Sequence, residues 1–499
     1  MTESKKLVLI NPEDNVAVAI EDIRKGEFSV LGNDLTVTAT AGIPRGHKVA
    51  VRGISIGEDV VKYGASIGRA SHPISKGDHV HGHNLATYLS GKIGYVYRPT
   101  LFSKRGKDGF PATFAGYRRK DGSAGIRNEI WIIPTVGCMN GVAERLAREA
   151  NLLHAGKTDG FAAWTHPYGC SQLGDDHLHT QIILASLARH PNACGILVLG
   201  LGCENNNIRA FKDILGPYDP ERVKFLEAQG VSDEFGFGMA LLSEVADFAQ
   251  GFSREKIPVS ELTVGLKCGG SDGLSGITAN PLLGIFSDRL TAAGGTCILT
   301  EVPEMFGAES ILMNRCADTV TFERTVALIN DFKDYYERHN QQVYENPSPG
   351  NKDGGITTLE EKSLGCIQKG GTGPVRDVLP YGEHVRKSGL NLAQGPGNDP
   401  VSVTTLAAAG AHLVLFTTGR GTPFGGPVPT VKIATNDGLA TEKPHWIDFN
   451  AGRSLKEDPE KVADDFVSLV LEIASGKRRT RQEENGYREI ALFKDGVTL

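Results

Sequence analysis

No stretch of the 499-residue chain comes near the ~20 consecutive apolar residues of a membrane span, and its start, MTESKKLVLINPEDN, turns polar again after four apolar residues. Neither a membrane protein nor a secretory leader is expected, and the sequence reads as cytoplasmic. Cysteine is sparse: eight residues are scattered with no Cys-x-x-Cys pair, which suits a reducing compartment and argues against a disulfide framework or a zinc ribbon. There is no long basic run and no positive excess, with Lys+Arg 53 against Asp+Glu 59 and a formal net charge of -6, so the footprint of a nucleic-acid binder is missing. Nucleotide motifs fail as well. GLGCENNN breaks G-x-G-x-x-G at its last glycine, KGGTGP lacks the Lys-Ser/Thr ending of a phosphate loop, and no G-x-S-x-G elbow is present. Small molecules are left as the expected partners, and the sequence allows a homo-oligomer without specifying one.

What is present is the composition of an ordinary soluble globular protein, 40% hydrophobic and 22% charged, with a length that suggests about three domains. The first hundred residues repeat a phrase, Ile-x-x-Gly, at Ile23, Ile43, Ile54 and Ile74, with short β-branched runs between the glycines. This predicts a compact all-β module over residues 1–97. A Gly-, Pro- and base-rich stretch, 98–115, reads as a linker. Beyond it, apolar strands alternate with helical patterns, as in NEIWIIPTVGC before GVAERLAREANLL, predicting an α/β region with a largely parallel sheet. NPSPGNKDGG is the best internal break, dividing that region into 116–345 and 346–499.

In open α/β sheets ligands bind beyond the carboxyl ends of the strands. The loops there are GCMNG, THPYGCSQLGDDH, GLGCENNN and KCGGSDG, which bring Cys138, Cys170, Cys203 and Cys268 toward one rim. Three such thiolates can hold an iron–sulfur cluster with one iron open to substrate, although cysteine is also among the most buried residue types. The same rim offers basic and amide groups for an anionic, hydroxylated ligand: Arg127, Asn128, His166, Ser171, Gln172, Asn205, Lys267 and Arg420. Each of these residue types is equally at home as a loop or cap residue. The remaining concentration of chemistry is GDHVHGHN, where His79, His81 and His83 alternate. In a strand they share one face, with neighbours roughly 6.5 to 7 Å apart and the outer pair too far apart to share an ion. A His-x-His metal pair is the functional reading, and a solvated polar strand face is the plain one.

RGHK, VVKYG with its following IGRA, GDHVHGHN, DGSAGIRN, THPYGCSQLGDD, GLGCENN and KCGGSDGLSG together resemble the altronate and galactarate dehydratase family, in the family's order and over nearly the whole chain. The resemblance implies a small β-clip domain of the SAF type, a large α/β dehydratase domain, and dependence on ferrous iron with manganese as a substitute. It implies elimination of water from a sugar acid, D-altronate giving 2-dehydro-3-deoxy-D-gluconate, with galactarate as the alternative substrate. A non-catalytic sugar-acid binding protein is the alternative of another class. Within this reading His81 and His83 are expected as metal ligands with His79 behind them. His47 or His166 is the expected proton carrier, and Lys48, Lys62 and Arg127 are expected carboxylate anchors.

Overall fold

The computed structural model describes residues 6–31, 35–100 and 110–498. Much of the expected linker, 101–109, lies outside the described residues. The N-terminal module is all β, as expected. Strands Leu7–Val8, Val16–Ala19, Lys48–Ala50 and His79–Val80 form an antiparallel sheet in that order. A hairpin, Phe28–Leu31 with Leu35–Thr38, and a three-stranded sheet, Asp59–Lys62, Ala65–Ala70 and Leu85–Ala86, complete it.

The Ile-x-x-Gly phrase explains the module's turns. Ile23 exchanges both backbone hydrogen bonds with Ile43, and Ile54 does the same with Ile74, while all four side chains are buried. Each is followed by a glycine at positive φ, +80° at Gly26, +85° at Gly46, +77° at Gly57 and +92° at Gly77. An L side chain is strained in that region. At Gly77 a Cβ would also lie 2.1 Å from the Thr38 carbonyl oxygen.

The α/β region holds two parallel sheets. In the first the strand order is Gly160–Ala163, Glu129–Pro134, Ala193–Gly200 and Val223–Glu227. Helices Asn140–Leu153, Gly174–Arg189, Ile208–Leu215 and Glu234–Ala249 connect and flank these strands. The second sheet has seven strands: Val375–Leu379, Gly389–Ala393, Thr296–Leu299, Thr263–Cys268, Leu413–Thr418, Thr430–Ala434 and Phe449–Asn450. The central strands are buried at every residue, as parallel strands covered on both faces must be. A small antiparallel sheet of Ala124–Gly125, Thr113–Arg118 and Arg254–Pro258 stands beside them. The NPSPGNKDGG stretch, expected as an internal break, falls between strands of the seven-stranded sheet, whose members come from both sides of it. Its prolines and glycines serve a short helix, Pro349–Asp353, not a domain boundary.

The N-terminal module does not hang on a tether. Val60, Ile67, Ile74, Val80 and Leu85 share one apolar core with Leu283, Phe306 and Leu364 of the α/β region. Backbones touch where three glycines meet: a Cβ on Gly273 would lie 1.9 Å, and one on Gly355 2.3 Å, from the Gly46 carbonyl oxygen.

Candidate functional site

The antiparallel pairing of Lys48 with Val80 and Val49 with His79 leaves His47 and His81 next in register, just beyond the last pair. Side chains at 47 and 49 share a face, so His47, His79 and His81 converge. Their ring centroids are 5.1 Å (His47–His79), 5.0 Å (His47–His81) and 5.7 Å (His79–His81) apart, and His47 Nδ1 lies 2.9 Å from His79 Nε2. The strand ends at Val80, unlike the extended row expected from the sequence. Asn84 closes a turn by donating to the His79 carbonyl and accepting from His81 N–H, while Asn84 N and Leu85 N donate to the His81 carbonyl. The outer pair is thereby folded together, with the His79 and His83 rings 5.5 Å apart.

Two backbone carbonyls set the tautomers. His47 Nε2 is 3.1 Å from the Asp353 carbonyl oxygen and His81 Nε2 is 2.9 Å from that of Lys352. A carbonyl only accepts, so each Nε2 carries hydrogen and each Nδ1 keeps its lone pair. Burial lowers the pKa of all three rings. For His79, burial and then the neighbouring His47, His81 and His83 bring it down to about 4. Neutral imidazoles whose N–H groups are anchored on carbonyls, as in His47 and His81, are what a divalent ion requires; the His47 Nδ1 lone pair accepts from His79 Nε2–H, a bond that an ion taking that lone pair would displace.

The supporting wall is the helix Pro349–Asp353. Its Gly350 carbonyl accepts from the exposed Arg420 guanidinium at 3.3 Å, and Asn351 donates to the Ser271 carbonyl at 2.9 Å. Asp272, which sits in the KCGGSDG loop, accepts from Thr435 Oγ1 and Ser275 Oγ, and burial raises its pKa. Alongside, a groove of about 650 Å³ runs between the module and the large domain, lined by Arg45, Leu274, Asn436 and Lys456 among others.

Cys268, Glu304 and Cys366 form a second concentration of donors, their ligand atoms all within 4.8 Å of one another. They are buried among ammonium groups. Lys369 Nζ lies 2.8 Å from Cys268 Sγ and 2.7 Å from Glu301, Lys362 Nζ lies 2.9 Å from Glu304, and Lys267 bonds Glu301 and Asp399. These cations hold the Glu304 carboxyl well below the usual range despite its burial. The donor types suit a soft ion, but three lysines already neutralise the set, so its present form is that of a salt-bridged keystone.

The other residues singled out in the sequence divide into groups. Lys48 and Lys62 are buried, and both ammonium groups reach Glu361 at 2.8 Å; Lys48 also donates to the Gly355 carbonyl and Thr357 Oγ1. All three Lys48 N–H donors are therefore used inside the protein. Lys267 is likewise buried in the keystone. Arg127 forks onto Glu483 at 2.7 and 3.0 Å, and Asn128 is tied to Arg119 and the Ala249 carbonyl. Both precede the strand Glu129–Pro134, at its amino end, away from the loops at its carboxyl end. His166 is buried, with Nε2 on the Pro134 carbonyl and Nδ1 accepting from Tyr168 N–H, which occupies both ring nitrogens. Ser171, Gln172 and Asn205 are brought together in the loops at the carboxyl end of the first sheet, where Ser171 N–H donates to Asn205 Oδ1 and Gly169 N–H to Gln172 Oε1. Glu361, Lys362, Glu301, Glu304, Cys366 and Lys369 were not legible as partners. Only Asp272 had a signal, its place in a glycine-rich loop.

Taken together, the fold and these contacts define a two-part α/β protein in which a histidine-bearing β module is seated on loops of a parallel sheet. Three family descriptions match it in order. They are "Altronate/galactarate dehydratase SAF domain" at residues 5–88, "D-galactarate dehydratase/Altronate hydrolase, second domain" at 116–250, and "D-galactarate/Altronate dehydratase, C-terminal" at 259–498. The chain is 54% identical to the altronate dehydratase of Bacillus subtilis (strain 168), covering 99% of this chain and all of that one. It is 52% identical to the altronate dehydratase of Escherichia coli (strain K12), over 99% of each. The L-threo-forming galactarate dehydratase of Escherichia coli (strain K12) is 32% identical over 97% of this chain and 96% of its own. The chain belongs to the D-galactarate/altronate dehydratase family.

Proposed function

We propose that the protein is a hydro-lyase that removes water from D-altronate to give 2-dehydro-3-deoxy-D-gluconate, using ferrous iron, with manganese as a substitute. The identity of 54% and 52% to altronate dehydratases over whole chains, against 32% to a galactarate dehydratase, supports the substrate. The observation that carries the metal is the pair of carbonyls, Asp353 and Lys352, that turn the lone pairs of His47 and His81 away from themselves. In this reading His47, His79 and His81 hold the ion, and His83 moves from ligand to rim. A divalent ion bound there supplies Lewis acidity toward the charge that develops when the proton beside the carboxylate leaves.

The chain's own residues do the rest. The helix Pro349–Asp353 fixes two rings through its carbonyls and holds the Arg420 guanidinium, which is exposed and has donors left for a substrate carboxylate. In this reading His83, exposed and next to His79, is the group that moves a proton at C2 or at the C3 hydroxyl. Eight cysteines, all free, fit a cytoplasmic location.

The test is 2-keto acid formation from D-altronate and from galactarate after anaerobic chelation and return of ferrous iron. The expected result is restoration by iron and a much higher kcat/KM for D-altronate. Equal turnover of both acids would remove the substrate assignment, and full activity in the chelated protein would remove the metal.

A further inference from the structure

Of the eight cysteines, five are buried and three, Cys138, Cys170 and Cys203, are exposed. The exposed three stand just past the carboxyl ends of three adjacent strands of the four-stranded parallel sheet. Pro134 pairs with Leu199, and Cys138 and Cys203 each lie four residues beyond their member of that pair. The Cys170 loop is sewn to both neighbours. Gly137 N–H donates to the Tyr168 carbonyl at 2.8 Å, Asn206 N–H to that of Gly169 at 2.9 Å, and Ser171 N–H to Asn205 Oδ1 at 2.9 Å. A Cβ on Gly169 would lie 2.0 Å from the Thr135 carbonyl oxygen, so the chain immediately before Cys170 rests on the segment leading to Cys138. Ser171, directly after Cys170, is held at φ 59°, a left-handed conformation that a serine adopts only at a cost.

We propose that Cys138, Cys170 and Cys203 are the three thiolate ligands of a [4Fe–4S] cluster, a metal centre separate from the histidine group. A cubane bound by three thiolates leaves its fourth iron to water or to an oxygen of a hydroxy acid. A cluster also asks less of the loops than a single ion does, because each thiolate takes its own iron, whereas thiolates on one zinc, at Zn–S of about 2.3 Å, must sit within about 4 Å of each other. Each cysteine also precedes a helix, Asn140–Leu153, Gly174–Arg189 or Ile208–Leu215, whose amino end favours the negative charge of thiolates and cluster. Gln229 Nε2, 3.7 Å from Cys203 Sγ, and Ser171 Oγ, 3.9 Å from Cys170 Sγ, offer weak donors to the sulfurs. Cys268, grouped with these three in the sequence, belongs instead to the second sheet and is engaged with Lys369.

The experiment is anaerobic reconstitution of the full chain with ferrous iron and sulfide, followed by desalting. Iron, acid-labile sulfide and broad visible absorption are then measured, and alkylated cysteines are mapped in the apo and reconstituted protein. The expected result is about four sulfides per chain, as a [4Fe–4S] cluster contains, with protection of Cys138, Cys170 and Cys203 from alkylation. Each of Cys138→Ser, Cys170→Ser and Cys203→Ser should lose most of the sulfide, whereas Cys297→Ala and His81→Ala should keep it. No retained sulfide, sulfide unaffected by the three serine substitutions, or iron held on these thiols without sulfide would each overturn the proposal. Alkylation mapping needs no substitution, so a variant that fails to fold does not protect the idea. Because sulfide and protection are read independently of turnover, failure here leaves the histidine-held ion standing, and the reverse holds too.

Discussion

Lys48 Nζ lies 2.8 Å from Glu361 Oε2 across the boundary between the β module and the α/β region, with both side chains at 1% exposure or less. Lys62 reaches the other carboxylate oxygen at the same distance. Two buried ammonium groups thus share one carboxylate, and burial together with this excess of positive charge brings the Lys48 pKa down to about 8.

Removing the shared carboxylate should be costly. Glu361→Gln leaves two buried cations without their counter-charge, and breaking a buried pair in this way costs about 3–5 kcal/mol. Denaturant unfolding should show that loss. A change under about 1 kcal/mol would mean that the triad contributes little.

The same group gives acid sensitivity. Burial pushes the Glu361 carboxyl up, but Lys48 and Lys62 outweigh it and bring it to about 2, against about 4.3 when unfolded. The folded pKa is the lower one, so the contribution is fully present above the unfolded value and is lost as pH falls from about 4.3 toward 2. Stability measured across that window should decline less steeply in Glu361→Gln than in the parent chain. Identical slopes would assign the acid transition to other groups.

His47→Ala, His79→Ala and His81→Ala should each weaken ferrous-iron binding by at least about tenfold, the low end of what even supporting groups contribute. His83→Ala should leave affinity within a few-fold and lower kcat by about 10²-fold. Anaerobic metal titration separates the two behaviours. If only His83→Ala impaired binding, the ligand set would be the wrong one.

Arg420→Ala should raise KM for the sugar acid about tenfold or more with a smaller change in kcat, and Arg420→Lys should recover only part of it because the forked geometry is lost. Steady-state kinetics decide it, and an unchanged KM would remove Arg420 from the substrate site.

Gly273→Ala places a Cβ 1.9 Å from the Gly46 carbonyl oxygen, where it meets backbone and no flexible side chain is there to yield. Overpacking of this kind costs about 1–3 kcal/mol. Because His47 follows Gly46, iron affinity should fall together with stability, and titration alongside a melting curve would expose any separation of the two effects.

The repeated Ile-x-x-Gly, the alternation of strand and helix, and the concentration of imidazoles in GDHVHGHN were legible because each is a local pattern of spacing. What the pattern could not carry was anything fixed by distant partners. The histidine row reads as an extended strand, yet the Asn84 side chain folds it into a turn and His47 enters from the neighbouring strand. Lys48 and Lys62 look like solvent-reaching anchors until Glu361, some 300 residues on, takes both charges. Arg127 belongs by sequence to a ligand-binding loop, but it precedes its strand and pairs with Glu483 at the sheet's other end. Cys268 follows Gly-Leu-Lys as the others follow glycine, and only the division into two sheets separates it from them.

The carbonyls that orient His47 and His81 lie 306 and 271 residues further along the chain. During synthesis the imidazoles therefore emerge long before the peptide groups that fix their tautomers. A ribosome-bound N-terminal module carries the rings but not their orientation, so under the proposed ligand set tight capture of a divalent ion would wait until most of the polypeptide has been made and docked. Ion loading would then be a late event in the life of each molecule, out of reach of a chain that stops short of Lys352.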